Sequence, residues 1–253
     1  MSIQVTDRQV VRPLLRVAAL LGLLPVLGTA CTAANTPTTK PSTKPTTQQS
    51  QSPTRFEKEI HAFELADLKS PPTTGGIVFT GSSTIRRWTT LAKDFTGLPV
   101  LNRGFGGSMI SDAVYFADRI VVPYKPKLIV FYSGGNDINA KRTPQRVFAD
   151  FKAFVEKVRG PLPDVRIVYM GIGPSPKRWS QADQQKEANQ LINDYILAGK
   201  NMDYVEVWDQ FLGPDGKPKD DYYVSDHHHN NADGYKIRVE VLRPHLTVPS
   251  AGT

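Results

Sequence analysis

Apolar residues fall along this chain in two alternating rhythms. Short, nearly continuous runs have strand length: Ile77-Val78-Phe79, Pro99-Val100-Leu101, Leu128-Ile129-Val130-Phe131-Tyr132, Val165-Arg166-Ile167-Val168-Tyr169-Met170 and Tyr204-Val205-Glu206-Val207-Trp208. The central runs have almost no polar position, as expected of parallel strands covered on both faces. Between them, Val147, Phe148, Phe151, Phe154, Val155 and Val158 recur at the spacing of one helix face. Ala188, Leu191, Ile192 and Ile196 do the same, and Tyr235, Val239 and Leu242 form a last stripe. This alternation predicts an α/β fold, a three-layer α/β/α sandwich, over residues 55–253. In open parallel sheets the ligand crevice lies beyond the carboxyl ends of the strands, so the residues just after each run matter most.

The first fifty residues break the rhythm. Arg8, Arg12 and Arg16 precede the apolar run Val17-Ala18-Ala19-Leu20-Leu21-Gly22-Leu23-Leu24, and small residues Gly28-Thr29-Ala30 follow, the order of a secretory signal peptide over residues 1–30. The apolar run is too short to span a bilayer comfortably. Leu27-Gly28-Thr29-Ala30-Cys31 resembles a bacterial lipobox, which implies lipidation of Cys31 as the first residue of the mature protein. Gly28 stands where that motif usually has leucine, and cleavage after Ala30 by an ordinary signal peptidase would instead leave an unlipidated chain. Residues 32–54 are dominated by Thr, Pro, Ser and Gln, with no aliphatic side chain larger than alanine. Such a segment has nothing to bury and reads as a solvated tether. The expected location is the bacterial cell envelope or the exterior, with membrane contact only through the N-terminal lipid.

Composition changes this picture little. A hydrophobic fraction of 40% and a charged fraction of 22% suit a soluble globular body. The net charge is +7, part of it in the leader. The remaining lysines and arginines are scattered among acids, which favours a solvated surface over a nucleic-acid groove. Cys31 is the single cysteine, so no intramolecular disulfide can form.

The strand ends carry four suggestive segments: Thr80-Gly81-Ser82-Ser83-Thr84-Ile85, Asn102-Arg103-Gly104-Phe105-Gly106-Gly107-Ser108, Ser133-Gly134-Gly135-Asn136-Asp137 and Asp226-His227-His228-His229-Asn230. In this order they resemble blocks I, II, III and V of the SGNH, or GDSL-type, hydrolases, over residues 75–246. The resemblance implies a flavodoxin-like parallel sheet of five strands and a serine esterase. Aligning the family's Gly-Asp-Ser triplet on Gly81-Ser82-Ser83 makes Ser83 the nucleophile, with Ser82 where aspartate is common. By the same resemblance His229 is the base, Asp226 orients it, and the oxyanion donors are the Ser83 N–H, the Gly107 N–H and the Asn136 amide. The chemistry fits these residue types. A serine hydroxyl needs an adjacent base, and imidazole suits that task at neutral pH. No metal or organic cofactor is required.

Other readings are weaker. Ser82 or Thr84 would serve as a turn former or helix cap. Asp226 with His227, His228 and His229 could hold a transition metal, but adjacent residues of an extended segment point to opposite sides and no second cluster supplies further ligands. His227 and His228 read as solvated loop residues, and His61 and His245 lie in no motif. Gly104-x-Gly106 begins a dinucleotide pattern, but Met109 stands in place of its third glycine. Trp88, Phe105, Trp179 and Tyr222 could line the crevice, and equally could be packing. The rival function is a tethered module of the same fold that binds without catalysis. The acyl group, the alcohol and the oligomeric state are not legible.

Overall fold

The apolar runs pair as one all-parallel sheet in a computed structural model that describes residues 52–247. The strands are β1 (Ile77–Gly81), β2 (Val100–Gly104), β3 (Leu128–Tyr132), β4 (Arg166–Met170) and β5 (Met202–Val205), in the spatial order β2-β1-β3-β4-β5. The helices are α1 (Glu57–Lys69), α2 (Ser83–Arg86), α3 (Leu91–Asp94), α4 (Ile110–Ile120), α5 (Gly135–Asn139), α6 (Pro144–Arg159), α7 (Ala182–Ala198) and α8 (Ala232–Leu242). The leader, Cys31 and the tether up to residue 51 lie outside the described residues. Ser52 caps a single 3-10 turn, Pro53–Phe56, that leads into α1. Among the described residues no helix is long and apolar enough to cross a membrane.

Alternate strand residues point to opposite faces, and both faces are buried. Val78, Ile129, Phe131, Ile167 and Tyr169 join one core with α1, α4, α6 and α7. Ile77, Phe79, Leu128, Val130, Val168 and Met170 join the other with α8 and the α2–α3 segment. This is why the central runs lack polar positions. In the first core, Phe131 stacks on Phe154 with ring centroids 3.9 Å apart. The stripe from Val147 to Val158 is the buried face of α6, whose first turn is closed by Thr143 accepting from the Arg146 N–H at 3.2 Å and by Pro144 at the first helical position.

Three boundaries differ from the apolar runs. β1 and β2 continue past Phe79 and Leu101 to Gly81 and Gly104, so the strands deliver the motif residues directly. β5 is Met202–Val205 rather than residues 204–208. Its register sets Ile167 beside Met202 and Met170 beside Val205, and the Glu206 carboxylate then accepts from the N–H groups of Val207 and Trp208 at 2.7 and 2.6 Å, curling the chain out of the ladder. Val207 and Trp208 are still buried. α4 shows no capping residue in the sequence because its cap comes from inside: Asp112 Oδ2 accepts from the Met109 N–H at 2.8 Å.

Candidate active site

Ser83 stands where β1 turns into α2. β1 ends on Gly81, whose φ of +127° is a conformation L side chains rarely adopt; a Cβ there would lie 2.0 Å from the Tyr132 carbonyl oxygen. The Ser82 N–H donates to that same oxygen at 3.0 Å, the last rung between β1 and β3. Ser83 is then the first residue of α2, half-buried. Ser82 occupies the cap position but its side chain makes no capping hydrogen bond, so the expected cap is absent there.

The segment with Asp226 and His229 is a closed loop. Tyr223 and Asn230 form an antiparallel bridge, the Val224 N–H donates to the His229 carbonyl at 2.9 Å, and His227 turns the chain with φ +56°. Asp226 Oδ1 accepts from the His228 and His229 N–H groups at 2.9 and 2.8 Å, while Oδ2 lies 2.6 Å from His229 Nδ1. Burial pushes the Asp226 carboxyl up, but the backbone N–H and ring of His229 and the backbone N–H of His228 outweigh it and hold the group well below the usual carboxylate range. An ionised carboxylate can only accept, so the imidazole proton sits on Nδ1 and the lone pair of Nε2 is presented elsewhere. It faces Ser83 Oγ at 2.9 Å, across 146 residues of sequence. Tyr235 of α8 donates to the Thr84 carbonyl at 2.9 Å, tying the helix after the histidine loop to the helix that carries the serine.

Ser83 and Asn136 line one narrow crevice with Ile172, Arg178, His228 and Arg238 among its walls. Asn136, the second residue of α5, donates from Nδ2 to the Ser108 carbonyl at 3.0 Å, and its Oδ1 accepts from Arg178 Nη2 at 2.9 Å. The arginine fixes which way the amide points, since guanidinium donates only. Gly107 is an exposed turn residue with φ +79°, next to Ser108, and is not among the residues lining the crevice.

Several residues sit where the sequence did not put them. His228 is not a solvated loop residue: it lines the crevice, with Nδ1 3.0 Å from Ser175 Oγ, and burial together with the charge of Arg178 pushes it down to about 3. His227 is exposed and pairs with Asp220 at 2.7 Å. Trp88 and Phe105 are core residues. Trp179 packs on Trp208 and Tyr222 on Phe211, and none of these four aromatics lines the crevice. Arg178 and Arg238, expected among the solvated charges, line the crevice, Arg238 buried and Arg178 partly so. The proline-flanked segment around Arg178 has no motif to mark it, and Arg238 interrupts the apolar stripe of α8 without any local sign of its partners.

Residues 73–237 match the GDSL-like lipase/acylhydrolase family. Among curated proteins, the platelet-activating factor acetylhydrolase IB subunit alpha1 of Rattus norvegicus is 28% identical over 129 residues, which cover 48% of this chain and 52% of that protein. The chain thus spans about half the length of the curated relatives it matches. Among solved structures, a GDSL-like lipase of Bacteroides thetaiotaomicron superposes with a TM-score of 0.61 at 19% identity, covering 77% of this chain and 96% of that one. A carbohydrate esterase family 3 protein of Talaromyces cellulolyticus does so with a TM-score of 0.54 at 18% identity, covering 67% and 95%. At these identities the structural likeness is one of fold.

Proposed function

Because this chain belongs to the GDSL-like lipase/acylhydrolase family, we propose that it is an exported serine esterase with Ser83 as nucleophile, His229 as general base and Asp226 as the residue that orients it. The observation that carries this reading is the unbroken hydrogen-bond chain from Asp226 Oδ2 through His229 to Ser83 Oγ, at 2.6 and 2.9 Å. Ser83 Oγ attacks the acyl carbon while its proton passes to His229 Nε2, and Asp226 stabilises the imidazolium that forms. The carbonyl oxygen becomes an anion held by the Ser83 N–H and the Asn136 amide, which line the crevice, with the Gly107 N–H, from the turn outside that lining, as the third donor the family resemblance implies, each contributing ~3–4 kcal/mol in comparable sites. The C–O bond to the alcohol then breaks and His229 returns the proton to the leaving oxygen. Water, deprotonated by His229, attacks the acyl-enzyme and releases the acid, and Ser83 recovers its proton.

The acyl group in this reading is short, acetyl first, on a carbohydrate or lipid alcohol. A platelet-activating factor acetylhydrolase subunit and a carbohydrate esterase are among the proteins of like sequence or fold. Export rests on the arginine-flanked apolar leader and the small residues before Cys31. A lipid on Cys31, followed by the Thr/Pro-rich tether, would hold the domain at the envelope.

Replacing Ser83 with alanine should reduce hydrolysis of 4-nitrophenyl acetate to background and abolish covalent labelling by a fluorophosphonate, with the thermal midpoint unchanged. A Ser83→Ala protein that still turns over the ester, or still takes the label, sinks the assignment. It would leave the binding-module reading in its place.

A further inference from the structure

We propose that Arg178 makes this crevice selective for esters bearing an anionic group, a carboxylate or a phosphate, close to the scissile bond. The inference rests on the reading of Ser83 as nucleophile only in placing the scissile bond; the anion site itself is argued from Arg178 and its surroundings. Arg178 lies on the segment between β4 and α7, just after Pro174-Ser175-Pro176, and shares the crevice with Ser83 and Asn136. Nη2 donates to Asn136 Oδ1, and Nη1 lies against Gly135, 3.5 Å from where a Cβ on that glycine would stand. Among the described residues no carboxylate pairs with it, and no acidic residue lines the crevice.

The neighbouring charges leave this cation uncompensated. Arg238, the other arginine of the wall, is occupied: Nε donates to Asn230 Oδ1 at 2.7 Å, and its guanidinium lies over the rings of Tyr132 and Phe211. His228 is held neutral by burial and by Arg178. Asp226 is spent on His229 and on two backbone N–H groups. Burial lowers the affinity of Arg178 for its own proton. A partly desolvated cation is costly unless paired, and the planar fork, with one edge on Asn136 and the remaining N–H groups unpartnered, suits an incoming carboxylate or phosphate oxygen.

Matched ester pairs test this in the full chain. The charge lies on the acyl side in 4-nitrophenyl hemisuccinate and on the alcohol side in 4-acetoxybenzoate, and the methyl ester of each carboxylate is its neutral comparator. Arg178→Gln should cut the preference for at least one anion over its neutral twin by about 10- to 100-fold, as expected for a lost hydrogen bond to a charged group. The loss should lie in KM, should be partly restored in Arg178→Lys, and should shrink in high salt. The pair that responds tells which side of the ester the anion occupies. An unchanged preference in both pairs, even with every rate reduced alike, overturns the proposal and leaves Arg178 as a positioning residue for Asn136. Calorimetry of 4-acetoxybenzoate and of succinate on Ser83→Ala and on Ser83→Ala/Arg178→Gln separates the two readings. Binding of either anion that requires Arg178 supports the anion site even if Ser83 is not the nucleophile, whereas an inactive Ser83→Ala with binding of both indifferent to Arg178 leaves the esterase and removes the anion site.

Discussion

Gly81→Ala sets an added carbon directly against the backbone of the neighbouring strand. A Cβ on Gly81 would stand 2.0 Å from the Tyr132 oxygen and 2.7 Å from its carbon, both backbone atoms of the neighbouring strand. Ordinary carbon–oxygen contacts begin near roughly 3.3 Å, so β1 and β3 must part by about 1 Å at this rung. That movement stretches the Ser82 N–H bond to Tyr132, now 3.0 Å, at ~1 kcal/mol, and presses β1 toward β2 on its other side. Alanine at φ +127° adds strain of about 1–3 kcal/mol. The total, on the order of 2–4 kcal/mol, is a large share of the ~5–15 kcal/mol that holds a domain together. Because Ser83 follows two residues later, the same shift pulls Oγ from its 2.9 Å contact with His229, and a displacement of about 1 Å typically costs ~10²-fold in rate. Urea denaturation followed by far-UV circular dichroism gives the stability, and kcat for 4-nitrophenyl acetate, measured where the variant is still folded, gives the rate. Gly107→Ala is the internal comparison, since φ is +79° but no heavy atom lies within 4 Å of the added carbon; it should lose only about 1–2 kcal/mol. If the two alanines destabilise equally, or Gly81→Ala keeps full kcat, the steric argument is wrong.

Two further substitutions probe charge. Asp226→Asn keeps an acceptor for the His228 and His229 N–H groups but presents an N–H to His229 Nδ1, which moves the ring proton to Nε2 and leaves no lone pair for Ser83; kcat should fall roughly 10²–10⁴-fold with KM nearly unchanged, and a fall under about tenfold would remove Asp226 from the orienting role. Asp137, fully buried beneath the site with Arg142 Nη1 and the Ile110 N–H each 3.3 Å away, is pushed up to about 7 chiefly by burial, from an ordinary value near 4. The folded state therefore binds this proton more tightly than the unfolded chain: the contribution is fully present below about pH 4 and is lost as pH rises through 7, on the order of 4 kcal/mol. Asp137→Asn should flatten the decline in unfolding free energy between about pH 4 and 7, as read by denaturation at each pH; parallel curves for the two proteins would refute it.

Much of this was legible because it is local. The strand-length runs from Ile77, Leu128 and Val165 mark the middle of the sheet, since a strand covered on both faces must be apolar at both parities. The stripe from Val147 to Val158 marks α6 for the corresponding reason. Ser83, Asp226 and His229 were legible through the resemblance of four short segments, each at the end of a run or near the chain's last helix. The misplacement of β5 has a physical cause: a run with four apolar residues in five looks like a strand whether its residues are buried in the ladder or, like Val207 and Trp208, beyond it. Nothing in the run shows that Glu206 will turn its carboxylate back onto the next two N–H groups.

By itself, then, the sequence determined the class of fold, the order of strands and helices, and which residue types arrive at the carboxyl edge of the sheet. Only the tertiary structure decided which of them meet. The hydrogen bond between His229 and Ser83 joins residues 146 apart, that between Arg178 and Asn136 joins residues 42 apart, and that between Ser175 and His228 joins residues 53 apart. No periodicity of period two or 3.6 reaches over such distances. A parallel sheet gathers the ends of all its strands at one edge, so the partners of a side chain there are set by strand order and by the loops that close over it. That is why Arg178 and His228, unremarkable in sequence, stand in the wall of the crevice while Trp88 and Phe105 do not.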